Sequence, residues 1–224
     1  MSQYQYTLRY FNIQGLAETI RLLLAAAQAD WKEEHPEWPL EKPKQPLGHL
    51  PVLVETSTGS DKEQLVLSET LVIERYIARK YGLVPGDILA AALHEQLRDQ
   101  LHDVWSTHME YMHSTGERSA ELVVKFEQDA RRLAKVHVAA LQRNGNIGHV
   151  FGNTLSYVDL SMYAFYKFFF NAGPRSLKEK TEILDYTRIP EVSKLMSVVE
   201  AAEELTAYFT REKTNGSCPA TRFT

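Results

Sequence analysis

The sequence contains one cysteine, Cys218, so no disulfide can form within the chain, and neither a multi-thiolate metal cage nor a CxxC redox pair is available. Long apolar runs are missing as well. Nothing approaches the about 18 uninterrupted apolar residues of a membrane helix, and the start, MSQYQYTLRYFN, is polar where a secretory leader needs its apolar stretch. Glycine and proline are scarce, 11 and 9 of 224 residues, which excludes collagenous and low-complexity chains. An excess of either charge is also lacking: 25 basic against 29 acidic residues give a formal net charge of -4, with no basic block that could track a nucleic-acid backbone. The expectation is a cytoplasmic globular protein without a nucleic-acid or membrane partner. Asn215-Gly216-Ser217 has the form of a glycosylation acceptor, but without a leader it reads as a turn in a loose tail.

What remains is an ordinary globular composition, 44% hydrophobic and 24% charged, in a chain long enough for two small domains. Residues 4 to 11, YQYTLRYF, have the aromatic, partly alternating pattern of a strand. Ile20, Leu23, Leu24 and Ala27 then recur at helical spacing, and Asp30 to His35 suits a second strand. Pro36, Pro39, Pro43 and Pro46 withhold backbone donors and mark a surface loop. Val52 to Glu55 and Leu65 to Leu67 flank turn residues and predict a hairpin; a helix from about Glu69 to Tyr81 follows and stops at Gly82. Beyond residue 84 the strand signals cease. Leu89, Leu93, Leu97, Leu101, Val104 and Trp105 mark one long helix, Leu122 to Val136 a second, and residues 157 to 171 and about 191 to 205 two more. The predicted organisation is an α/β domain over 1–83, a linker over 84–88 and an all-helical domain over 89–224.

The eight histidines include His94, His102, His108 and His113, none at the i, i+4 spacing of a helical zinc motif, so no metal site is expected. Ser156 and Asp159 have capping-box spacing and are assigned to folding of the helix they open. Phe165, Phe168, Phe169 and Phe170 are expected in the core.

Four features of the first 80 residues occur in order: Tyr10 at the end of the first strand, Gly15 opening a helix, Leu50-Pro51 before the third strand, and Leu67-Ser68-Glu69-Thr70 opening the next helix. Taken singly, they read as a packing tyrosine, an ordinary X-Pro bond and a helix cap. Together, LRYFNIQGLAETIRLLL, PLGHLPVLVE, LSETLVIERYIARKYGL and FGNTLSYVDL resemble the cytosolic glutathione S-transferases of the tyrosine type, most like the sigma class with mu-like features.

That resemblance implies a thioredoxin-like N-terminal domain, an all-α C-terminal domain, a homodimer, glutathione as co-substrate and no metal. By the same resemblance Tyr10 gives its phenolic hydrogen to the glutathione thiolate, and the cis peptide before Pro51 lets Leu50 present its backbone to the cysteinyl part. Glu69 and Thr70 take the γ-glutamyl end. Trp38 and Lys42 take the glycyl carboxylate, with His49 where many relatives carry lysine. Asp103 of the partner subunit completes the site. Gln14 stands where arginine is common in relatives. Met109, Tyr111 and Met112 are candidates for an apolar acceptor pocket or for packing. The implied activity is addition of the glutathione thiol to electrophilic, hydrophobic small molecules. A prostaglandin-type isomerase, a ligand carrier and a crystallin-like structural relative share the fold and remain open alternatives.

Overall fold

A computed structural model describes residues 3–60, 62–172 and 181–215. Cys218 and the Gly216-Ser217 half of the turn reading lie outside the described residues. The chain separates into two units: the first 83 residues together with the chain from Ala202 onward, and residues Val84–Ala201.

In the first unit β1 (Tyr4–Arg9) leads through a 3-10 turn at Gly15–Ala17 into α1 (Glu18–Ala26) and back to β2 (Asp30–Glu34). β3 (Val52–Ser57) and β4 (Gln64–Ser68) form the hairpin, and α2 (Thr70–Lys80) follows. The sheet order is β2-β1-β3-β4, with β1 parallel to β2 and antiparallel to β3. This arrangement has a simple cause. A helical crossover returns β2 parallel to β1, whereas the short turn between β3 and β4 permits only an antiparallel pair. The apolar stripe of α1 is fully buried through Ile20, Leu22, Leu23 and Leu24, and β1 and β3 supply Tyr6, Leu8, Val52 and Leu53 to the same core.

Polar bonds tie α2 to the sheet. Lys80 Nζ sits 3.4 Å from the centre of the Tyr4 ring and donates to Glu55 Oε1 at 2.6 Å, while Tyr76 donates to Glu55 Oε2 at 2.8 Å. Tyr6 also shares a 2.8 Å hydrogen bond with Tyr81. Gly82 ends α2 with φ +68, the left-handed conformation expected of a residue just past a helix.

The second unit contains α3 (Ile88–Met112), α4 (Gly116–Arg143), α5 (Tyr157–Ala172) and α6 (Pro190–Ala201). Asp87 caps α3 by accepting from Ala90 N at 2.8 Å. The predicted stripe on α3 divides: Leu97, Leu101, Val104 and Trp105 are buried, but Leu89 and Leu93 near its start are exposed. Trp105, His108, Phe126, Phe168 and Phe169 pack ring against ring, yet Phe170 is 42% exposed and rests on Tyr186, which corrects its assignment to the core. The reason is helical phase: 165, 168 and 169 share a face and 170 turns away from it.

The helix predicted over 191–205 ends earlier, at Ala201. A 3-10 turn at Glu203–Leu205 then starts a separate helix, α7 (Thr206–Asn215), whose Leu205 and Tyr208 are buried in the first unit. Its polar composition, TAYFTREKTN, has too few apolar positions to announce a helix by periodicity.

Candidate active site

Tyr10 leaves β1 with its backbone still paired: its N–H donates to Glu34 O at 3.1 Å, and its carbonyl contacts His35 Nδ1 at 3.0 Å. The side chain is 5% exposed, and its hydroxyl accepts from Leu16 N–H at 3.0 Å. No acceptor for the Tyr10 proton occurs among the described residues. Burial pushes the phenol above its ordinary pKa, while the Leu16 N–H and the Arg21 cation pull the other way. A raised pKa keeps the hydroxyl protonated at neutral pH, the state in which it can donate.

Gly15 has a definite steric purpose. Its φ is +43, and a Cβ there would lie 2.7 Å from Tyr10 Oη. Only glycine tolerates that backbone and also lets the turn pass so close to the hydroxyl.

Two groups of the anticipated residues come together in this unit. Phe11 packs edge-on to Tyr10 at 5.3 Å and to Trp38 at 5.5 Å, and Lys42 Nζ lies 5.9 Å from the Trp38 ring centre. Phe11, adjacent to Tyr10 in sequence, is thus the wall that joins Tyr10 to Trp38, a role that strand alternation alone does not reveal. The second group surrounds Leu50-Pro51, whose peptide bond is cis, as is Trp38-Pro39. His49 Nε2 lies 3.6 Å from Glu69 Oε1 with both side chains largely exposed. Gly48, at φ +69, lies between the two groups in the chain, in a backbone conformation that glycine adopts freely.

The start of α2 is unusual. Glu69 occupies the N-cap position with φ +73, and its side chain makes no capping bond. A non-glycine residue held there costs on the order of 1–3 kcal/mol, a strain that concentrates at functional sites. Thr70, buried, begins the helix, and Glu69 gives the backbone N–H groups of its first turn no side-chain cap, the kind of helix start that can receive an anion. Ser68 Oγ and Gln45 Oε1 are also buried without a partner.

The remaining candidates lie in the second unit. Asp103 on α3 is exposed and has no side-chain hydrogen bond or ion pair among the described residues. It borders a polar cleft of about 540 Å³ between α3 and α4 that also exposes Lys125 and Arg132. Met109 and Tyr111 are partly buried and Met112 is 39% exposed, all three outside the lining of that cleft.

Residues 6–79 match the family model for the glutathione S-transferase N-terminal domain, and residues 98–212 match that for the glutathione S-transferase C-terminal domain. The chain belongs to the glutathione S-transferase family. Similar sequences include S-crystallin SL11 of Nototodarus sloanii, 26% identical over 91% of this chain and 94% of the relative. The class-mu 28 kDa glutathione S-transferase of Schistosoma japonicum is 37% identical over a shorter match, 43% of this chain and 48% of that enzyme. The sigma class transferase of Fasciola hepatica superposes with a TM-score of 0.73 at 22% identity, over 94% of this chain and 97% of that one, and so shares its fold. In the transferase family glutathione is the co-substrate, and the fold seen here is the thioredoxin-like domain followed by helices that the motifs implied. Among the described residues no helix is long and apolar enough to cross a membrane.

Proposed function

We propose that this glutathione transferase activates the glutathione thiol by a hydrogen bond from Tyr10 and adds it to electrophilic, hydrophobic small molecules in the cytoplasm. The observation that carries the reading is the Tyr10 hydroxyl: buried, oriented by Leu16 N–H, and without an acceptor for its own proton among the described residues. A free thiol has a pKa of about 8.5, so only a few per cent is thiolate at pH 7. A donor fixed on the sulfur favours the anion; lowering the thiol pKa by about two units corresponds to about 2.7 kcal/mol.

Around the sulfur, Leu50 offers its backbone to the cysteinyl unit, Thr70 and the start of α2 receive the γ-glutamyl carboxylate, and Glu69 attracts the ammonium. Trp38, Lys42 and His49 hold the glycyl carboxylate. In a homodimer, Asp103 of the partner subunit approaches the same ammonium, which suits an exposed carboxylate without a side-chain partner among the described residues. The thiolate then attacks an electrophilic carbon. In substitution the C–S bond forms as the leaving group departs with its electron pair; in conjugate addition the resulting carbanion takes a proton from water. Met109, Tyr111 and Met112 are the residues we place against the acceptor.

Retention on immobilised glutathione followed by a conjugation assay with an aryl halide tests this function. Retention with turnover supports it. Retention without turnover leaves a ligand carrier, and failure of both favours a structural role such as the full-length similarity to an S-crystallin raises.

A further inference from the structure

The Gly15 turn brings Leu16 N–H to the Tyr10 hydroxyl, yet glycine gives this turn freedom rather than rigidity. Something else must hold it. Arg21 Nη1 donates to the consecutive carbonyls of Ile13 at 3.0 Å and Gln14 at 3.1 Å, so the guanidinium fixes the backbone leading into Gly15. The same nitrogen contacts Glu18 Oε2 at 3.2 Å, and the other carboxylate oxygen, Oε1, accepts from Tyr208 Oη at 2.7 Å. All three side chains are nearly inaccessible: Arg21 is 3%, Tyr208 4% and Glu18 6% exposed.

We propose that Tyr208, on the C-terminal helix α7, is a positioning residue for thiol activation, acting through Glu18 and Arg21 on the turn that orients Tyr10. This rests on Tyr10 being the thiolate donor. The physical need for Tyr208 is specific. A buried carboxylate with one oxygen on Arg21 leaves its second oxygen unsatisfied unless another donor arrives, and 190 residues along the chain Tyr208 is that donor. Without it the carboxylate turns toward other donors and draws the guanidinium with it, loosening the Ile13 and Gln14 carbonyls. Leu16 N–H then shifts from Tyr10. A hydroxyl that has lost its incoming N–H is a weaker donor to a thiolate, because hydrogen bonds in a chain polarise one another.

The other charged groups of this cluster are Glu33 of β2, which accepts from Arg21 Nε at 3.1 Å and Nη2 at 3.0 Å, and Arg211 and Glu212 of α7. Glu33 secures one edge of the guanidinium whatever Tyr208 does. The edge facing the turn depends on Glu18.

The test is Tyr208→Phe, read as steady-state kinetics across pH. The expected result is a fall in kcat of about 3- to 10-fold, the scale of one hydrogen bond. The acid limb of the kcat/KM profile should move to higher pH by about half a unit, and the KM for glutathione should stay within about twofold, since its binding groups are untouched. A variant that melts earlier but keeps kcat and the acid limb of the wild type overturns the proposal and leaves Tyr208 as a helix anchor. If Tyr208→Phe does not fold, Glu18→Gln decides: it keeps an acceptor for Tyr208 but removes the charge facing Arg21, and an unmoved acid limb there rejects the relay equally. Tyr10→Phe in the same assay separates the two levels. Wild-type turnover by that variant would defeat the assignment of Tyr10 itself, whereas a disabled Tyr10→Phe beside an unaltered Tyr208→Phe defeats only the relay.

Discussion

Tyr10 illustrates how much one side chain's surroundings decide. Its hydroxyl is protonated because burial outweighs the cation and N–H that favour the phenolate, and it is aimed because Leu16 N–H holds its oxygen. Tyr10→Phe should leave the circular dichroism spectrum and glutathione affinity nearly unchanged while turnover falls about 10- to 1000-fold, the span for losing one oriented donor to a developing anion. Gly15→Ala attacks the same hydroxyl from the other side. The added Cβ meets Tyr10 Oη at 2.7 Å with φ at +43, so turnover should fall and stability should drop by about 1–2 kcal/mol, checked by denaturant unfolding. Tyr10, Gly15, Leu50-Pro51 and Glu69-Thr70 could be picked out of the chain as candidates because they stand in a recognisable order. The reasons could not: the steric need for Gly15, the left-handed Glu69 and the bridging ring of Phe11 are distances and angles, which spacing along a sequence does not encode.

At the scale of elements, the start of α5 is held by more than a helix cap. Ser156 N and Oγ donate to Asp159 Oδ2 at 3.1 and 2.8 Å, as the capping-box spacing implied. Asp159, fully buried, also accepts from Val150 N at 2.8 Å and contacts His149 Nδ1 at 3.2 Å, so it fastens the preceding loop as well. Ser156→Ala should therefore cost about 0.5–2 kcal/mol, and Asp159→Ala about 3–5 kcal/mol because it orphans several buried groups at once. Equilibrium unfolding measures both, and equal losses would reduce Asp159 to a simple cap. Local pattern revealed the Ser156–Asp159 pair, three residues apart. It could not reveal α7: that helix gains its stability from Leu205 and Tyr208 packed on the first unit, and the Tyr208–Glu18 bond joins positions too distant for any periodicity to connect.

For the whole molecule, the second unit contains an acid-sensitive core. Burial pulls His108 down to about 4 and His137 to about 3, and lowers His94 as well. A folded-state pKa below the unfolded value means stability is complete above about pH 6.5 and is lost as pH falls toward the folded values. His149 runs opposite: the Asp159 hydrogen bond raises it, so its contribution is present below about pH 6.5 and fades as pH rises through its folded pKa. Three depressed residues against one raised predict a lower melting temperature at pH 5 than at pH 7, partly corrected in His108→Leu; equal melting temperatures would contradict this. The proposed homodimer makes a separate prediction. Asp103→Asn should raise the KM for glutathione about two- to fivefold with little change for the acceptor, and a wild-type monomer in ultracentrifugation would exclude the shared site. The ultraviolet absorbance of thiolate in the binary complex, titrated against pH, tests most directly whether the Tyr10 proton stabilises the glutathione thiolate. The bound thiol should titrate about two units below a free thiol in the wild type and return toward about 8.5 in Tyr10→Phe; the same pKa in both proteins would contradict a role for the Tyr10 proton.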